Sequence, residues 1–160
     1  MKYCIDTSAL VDLGERYYPE NIPVFAPIWK HIYQEIKSGE IVTADYVRIE
    51  LEERADEWRK SFIVQADKMF RIDEKIEIEY ASVISELEKG HQFLRNKQRD
   101  RFMRGADPWI IALARHLKEC TVVSGETKKL ADYGLGEVCV QLGVRHIRLV
   151  EFFQENNIGR

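Results

Sequence analysis

Apolar positions along the chain alternate between short continuous runs and a period near 3.6. Tyr3, Cys4 and Ile5 make a first apolar run, read as a strand, and residues 7–13 follow as a helical turn. Gly14 and the stretch YYPENIP break the pattern into a loop. Residues 27–37 set Ile28, Ile32 and Ile36 on one helical face with Trp29 and Tyr33 beside them, closed by Ser38 and Gly39. IVTADYVRIELEER then passes from a short strand into a helix whose stripe is Ala44, Val47, Leu51, Ala55 and Trp58. A further helical stretch runs to about Lys68, and MFRI reads as a short strand.

The second half repeats the alternation. Residues 73–94 predict a long charged helix lying over the core from outside. ADPWIIALARHLKE is the clearest helix, with Asp107 as N-cap and Pro108 at the first helical position. TVVS is a β-branched strand, EVCVQLG a short helix, RHIRL a strand and VEFFQENN a terminal helix. Short apolar strands separated by helices argue for an α/β layer fold with a mainly parallel sheet. Sites in such sheets lie outside the carboxyl ends of the strands.

Length and charge narrow the picture. A chain of 160 residues favours one domain, residues 1–160, and no repeat or low-complexity tract divides it. The net charge of −3 gives no global attraction to nucleic acid or anionic membrane, so contact with a polyanion requires a local basic patch. Cys4, Cys120 and Cys139 form no CxxC pair, which argues against a disulfide framework or structural zinc and fits a reducing cytoplasm. The longest apolar run, WIIALA, is too short to span a bilayer, and no signal-peptide run is expected at the N-terminus. His31, His91, His116 and His146 lack metal-ligand spacing and read as surface or helix-end residues. Trp29, Tyr33, Trp58, Trp109, Phe152 and Phe153 read as core.

Acids stand at the strand ends. Asp6 follows the first strand, Glu126 follows TVVS, Asp107 opens a helix, and Glu50 lies on the helix launched from the second strand. On a wheel of about 100° per residue, Glu50 and Glu52 flank the apolar stripe on opposite sides while Glu53 points away, so spacing alone leaves Glu50 and Glu52 open. Parallel strands would bring these carboxylates to one edge, where mutual repulsion favours a divalent cation such as Mg²⁺ or Mn²⁺. Each acid also has an ordinary explanation as a cap or a solvated loop residue. A dehalogenase-type phosphatase needs a second Asp where Ser8 stands, and a receiver domain needs an acidic neighbour that Asp6 lacks.

YCIDTSALVD, IVTADYVRIELEE, GADPWIIALA and TVVSGE, in that order, resemble the motifs of PIN-domain nucleases, in a bacterial and archaeal branch with a DPW-type third motif. The resemblance implies a PIN-like three-layer α/β/α sandwich and a site of Asp6, Glu50, Asp107 and Glu126 binding one or two Mg²⁺ or Mn²⁺ ions. It selects Glu50 over Glu52. Thr7 and Ser8 match the hydroxyl pair beside the first acid and would hold a water or a phosphate oxygen. The implied activity is metal-dependent hydrolysis of RNA phosphodiesters. A non-catalytic PIN-fold interaction protein and a structure-specific DNA nuclease are the alternatives. The resemblance further implies a cytoplasmic toxin of a toxin–antitoxin pair, a partner antitoxin with a DNA-binding module, and a homodimer, with no membrane.

RNKQRDRFMR supplies the local positive charge. Arg95, Lys97, Arg99, Arg101 and Arg104 stand against Asp100 alone and lead directly into GADP. They would deliver the phosphate backbone to the acids, with Phe102 stacking on a base. The competing expectation is a solvated basic helix balancing the acidic segment before it.

Overall fold

Runs of apolar and β-branched residues become short strands, and the central ones are buried along nearly their whole length, as in a sheet covered on both faces. A computed structural model describes residues 2–54, 56–90, 96–125 and 134–159. Strands β1 (Lys2–Ile5), β2 (Ile41–Ala44), β3 (Phe70–Arg71), β4 (Cys120–Ser124) and β5 (His146–Arg148) form one sheet in the order β3-β2-β1-β4-β5. Every pairing is parallel. Between and after them lie α1 (Thr7–Val11), α2 (Ala26–Ser38), α3 (Asp45–Glu52), α4 (Glu57–Gln65), α5 (Glu74–Gly90), α6 (Asn96–Arg104), α7 (Asp107–Leu117), α8 (Leu135–Gln141) and α9 (Leu149–Glu155).

Successive strand residues point to opposite faces, and β1 shows both. Cys4 Sγ lies 3.9 Å from the Ile110 carbonyl of α7, while the Tyr3 ring meets Phe152 of α9 edge-on with centroids 4.9 Å apart. The fold is thus a three-layer α/β/α sandwich. α5 packs outside α7, where Glu79 and Glu86 both hold Arg115. Among the described residues no helix is long and apolar enough to cross a membrane.

Strand order determines where a site can form. The chain steps from β1 outward to β2 and β3, then crosses back to place β4 on the other side of β1 and continues to β5. The direction of winding therefore reverses between β1 and β4. At such a switch point the connections leave in opposite directions and open a crevice at the carboxyl ends of the strands. Asp6 follows β1 and donates its backbone N–H to the Val123 carbonyl at 2.9 Å, so it stands at this crevice.

Three local expectations change. The stripe from Ala44 to Trp58 is not one helix: α3 ends at Glu52, and Asp56 caps α4 by accepting the Arg59 N–H at 2.8 Å. Ala55 lies outside the described residues. An aspartate that can satisfy the orphan amides of a new helix outweighs a continued apolar period. The chain also does not loop out at Gly14, because α1 runs into a π-helical segment, Asp12–Tyr17. That segment brings Glu15 to the buried Arg59, which also reaches the Leu51 carbonyl at 3.4 Å. Finally, α7 starts at Asp107 with Ala106 as its N-cap, so Asp107 is the first helical residue and not the cap.

Gly14 packs directly under the Trp58 ring, and a β-carbon there would overlap the indole. Gly14→Ala is expected to lower stability by about 1–3 kcal/mol through overpacking, read as a drop in the urea midpoint without a change in slope.

Candidate functional site at the β1–β4 crevice

The site begins with three consecutive residues, Asp6, Thr7 and Ser8, where β1 gives way to α1. Asp6 is 7% exposed. It occupies the N-cap position of α1 yet its side chain makes no capping bond. Instead its Oδ2 accepts the Ser8 hydroxyl at 2.6 Å. Ser8 Oγ in turn accepts the Gly125 N–H at 3.0 Å, tying the exit of β1 to the exit of β4. A β-carbon on Gly125 would lie 2.5 Å from Asp12 Oδ2 and 2.9 Å from the Ser8 carbonyl, so only glycine lets these segments approach so closely.

Glu50 brings the third segment in. Its Oε2 accepts the Thr7 hydroxyl at 2.6 Å, and its Oε1 accepts the Ala106 N–H at 2.8 Å. Ala106 carries one of the orphan amides at the start of α7, so an acid from α3 completes the end of a distant helix. Glu52 does not share this role. It pairs with Arg48 at 2.9 Å on the exposed face of α3. The wheel left the two glutamates equivalent; tertiary structure separates them.

Asp107 follows Ala106 directly and is half-buried. Burial raises the Cys139 thiol pKa most, and the negative charges of Asp107 and Asp6 raise it further. Both aspartates therefore act on one buried sulfur in α8, behind the crevice. Asp6, Thr7, Ser8, Glu50 and the start of α7 at Asp107 are thus gathered at the carboxyl edge of the sheet. Glu126 lies outside the described residues.

The hydroxyl hydrogens of Thr7 and Ser8 are both directed at carboxylates, so these residues orient the acids. Arg99, Arg101 and Arg104 are exposed on α6, immediately before the site. Arg104 Nε reaches the Asp100 carbonyl of its own helix at 3.2 Å. Arg95 and the side chain of Lys97 lie outside what is described. The acidic α5 does not balance these arginines through the ion pairs seen: its Glu79 and Glu86 hold Arg115. Phe102 is a correction. It is buried in the core at 5% exposure, because the helical period turns it inward when the arginines face out, and it offers no face to a base.

Two features escaped the sequence reading. Asp12 is 1% exposed, pairs with Arg16 at 3.0 Å, and lies against Gly125. The signal was an acid flanked by Val11 and Leu13 on an inward-facing helix, where a charge is rarely buried without a partner. Ser124 Oγ lies 2.8 Å from His146 Nε2 across neighbouring strands. His146 is thus a half-buried strand residue, not a surface one. His31 sits in mid-α2 with its Nε2 buried and unpartnered among the described residues, whereas His116 lies in the last turn of α7 as expected. His91 lies outside the described residues.

Among the described residues no three His, Cys, Asp or Glu side chains converge as a ligating group. The donors at the crevice are carboxylates and hydroxyls, the oxygen set that Mg²⁺ and Mn²⁺ prefer. Mg²⁺ keeps several waters and is commonly held by only one or two carboxylates together with substrate phosphate. Asp6 and Asp107 supply carboxylates of this kind at the crevice, and Glu50 accepts from Thr7 and Ala106.

The family model described as a domain of unknown function (DUF4411) matches residues 3–159, and the chain belongs to that family. No curated protein matches it.

Removing the Glu50 carboxylate leaves two partly buried donors without an acceptor. Glu50→Ala is expected to cost about 2 kcal/mol, against about 0.5 kcal/mol or less for Glu52→Ala, compared by urea denaturation. A second expectation concerns pH. Burial and then Arg148 lower the His146 pKa, so the folded protein takes up that proton less readily than the unfolded chain. Stability is then lost as pH falls below the ordinary imidazole value of about 6.5 towards the depressed value. Thermal melts across this range should slope less in His146→Gln than in the wild type.

Proposed function

We propose that this DUF4411 protein is a divalent-metal-dependent endoribonuclease of PIN type, acting on RNA in the cytoplasm. The observation that carries the reading is the double hydrogen bond of Glu50, which draws the Asp6 segment and the start of α7 to one switch-point crevice. Asp6 and Asp107 would hold Mg²⁺ or Mn²⁺. When bound, the ion supplies a nucleophile near neutral pH and neutralises phosphate charge. Glu50 keeps α7 in place through Ala106, and Ser8 orients Asp6. The exposed Arg99, Arg101 and Arg104 attract the phosphate backbone and give binding a steep salt dependence. The motif resemblance supports the same reading, and on it the protein is proposed as the toxin of a toxin–antitoxin pair, which would add an antitoxin carrying a DNA-binding module and a second copy of the chain as partners.

A non-catalytic interaction protein is the second reading, favoured by the lack of a three-ligand group among the described residues. A Mn²⁺ titration separates the two. The nuclease reading expects saturable binding that Asp6→Asn abolishes; no binding by the wild type supports the interaction protein.

Asp6→Asn and Asp107→Asn are each expected to abolish RNA cleavage in Mg²⁺ or Mn²⁺ while leaving the melting temperature nearly unchanged. Equal cleavage by Asp6→Asn and wild type, seen by sequencing RNA ends, would remove the mechanism.

A further inference from the structure

At the margin of the core, one turn of α3 from Glu50, stands a group of stacked, partly buried aromatic rings. Tyr80 of α5 lies over Trp109 of α7 with centroids 3.8 Å apart and planes 14° from parallel. Tyr46 of α3 is also parallel to Trp109, within 11°, at a centroid distance of 6.5 Å. Among the described residues the other aromatic pairs mostly meet edge-on or tilted, as at Tyr18–Phe25 and Trp29–Trp58, with Trp58–Phe62 stacked. All three rings are only partly buried. The indole N–H groups of Trp29 and Trp58 donate to the Tyr18 carbonyl and to Glu20, at 2.7 Å and 3.2 Å.

Position supplies the chemistry. Tyr46 precedes Glu50 by one helical turn, about 6 Å along α3, and Glu50 holds the Ala106 amide at the start of α7, the helix that carries Trp109. The Tyr46 hydroxyl donates to the Arg104 carbonyl at 2.9 Å, joining the aromatic group to the basic helix α6. Parallel aromatic faces next to exposed arginines are what an unpaired strand requires: stacking for its bases and positive charge for its backbone. A duplex hides those base faces.

We infer that Tyr46, Trp109 and Tyr80 form a stacking shelf that takes a nucleobase of single-stranded RNA next to the phosphate held at Asp6 and Asp107. This deepens the ribonuclease reading and rests on it for the identity of the strand. Phe102, buried behind α6, leaves that role to these rings.

The test uses the full chain carrying Asp6→Asn, in Mg²⁺, so that RNA stays intact. The probes are a short mixed-sequence single-stranded RNA, an abasic strand of the same length, and the same RNA in a duplex. The single-stranded RNA should quench tryptophan fluorescence, and Trp109→Phe should remove that quench while Trp29 and Trp58 still emit. The abasic strand and the duplex should bind about 10-fold or more weakly. Tyr46→Leu should weaken RNA binding without affecting the abasic strand, and Tyr46→Phe, which keeps the ring, should bind as the parent does. Equal affinity for RNA and abasic strand, or a quench that survives Trp109→Phe, would overturn the shelf. Cleavage of RNA by the wild type together with that result would leave the nuclease reading standing. A Trp109-dependent quench without cleavage would keep the shelf and overturn the nuclease.

Discussion

The carboxylate of Glu50 accepts a hydroxyl from Thr7 and an amide from Ala106, and in doing so joins parts of the chain 43 and 56 residues away. Both donors are partly buried, so neither is fully compensated by water if the acceptor leaves. Thr7 follows Asp6, and Ala106 precedes Asp107. One side chain thereby sets the spacing between the segments that carry the two aspartates. The parallel sheet brings these segments to the same edge, and Glu50 governs how closely they approach.

Charge is distributed in a way that net charge does not reveal. The acidic helix α5 directs two of its glutamates at Arg115 of α7, helping to fasten two layers of helix together. The arginines of α6 are left facing solvent beside the crevice. A chain with a net charge of −3 can in this way present a local cationic surface next to an anionic pocket.

Strand and helix alternation was legible in the sequence because periodicity is local. Tyr3, Cys4 and Ile5 read as a strand, and ADPWIIALARHLKE read as a helix, without knowledge of their partners. Asp6 and Asp107 were legible for the same reason, as acids at predicted element ends. The choice between Glu50 and Glu52 was not open to periodicity, since both flank the stripe equally. Thr7, Ala106 and Arg48 decide it, and two of those come from other segments. Asp12 was missed because its significance depends on the close pass of Gly125. Phe102 was misjudged because a run of arginines drew attention away from the single inward position among them.

The interior next to Asp6 has a consequence for the chemistry of its sulfur. Cys4 and Cys139 are wholly buried, and both feel the charge of Asp6. Their burial, reinforced by that charge, keeps them as neutral thiols. Zinc and other thiophilic metals need a thiolate that can reach them. Sulfur thus lies within the electrostatic reach of Asp6 but, buried and protonated, offers no thiolate to a thiophilic ion.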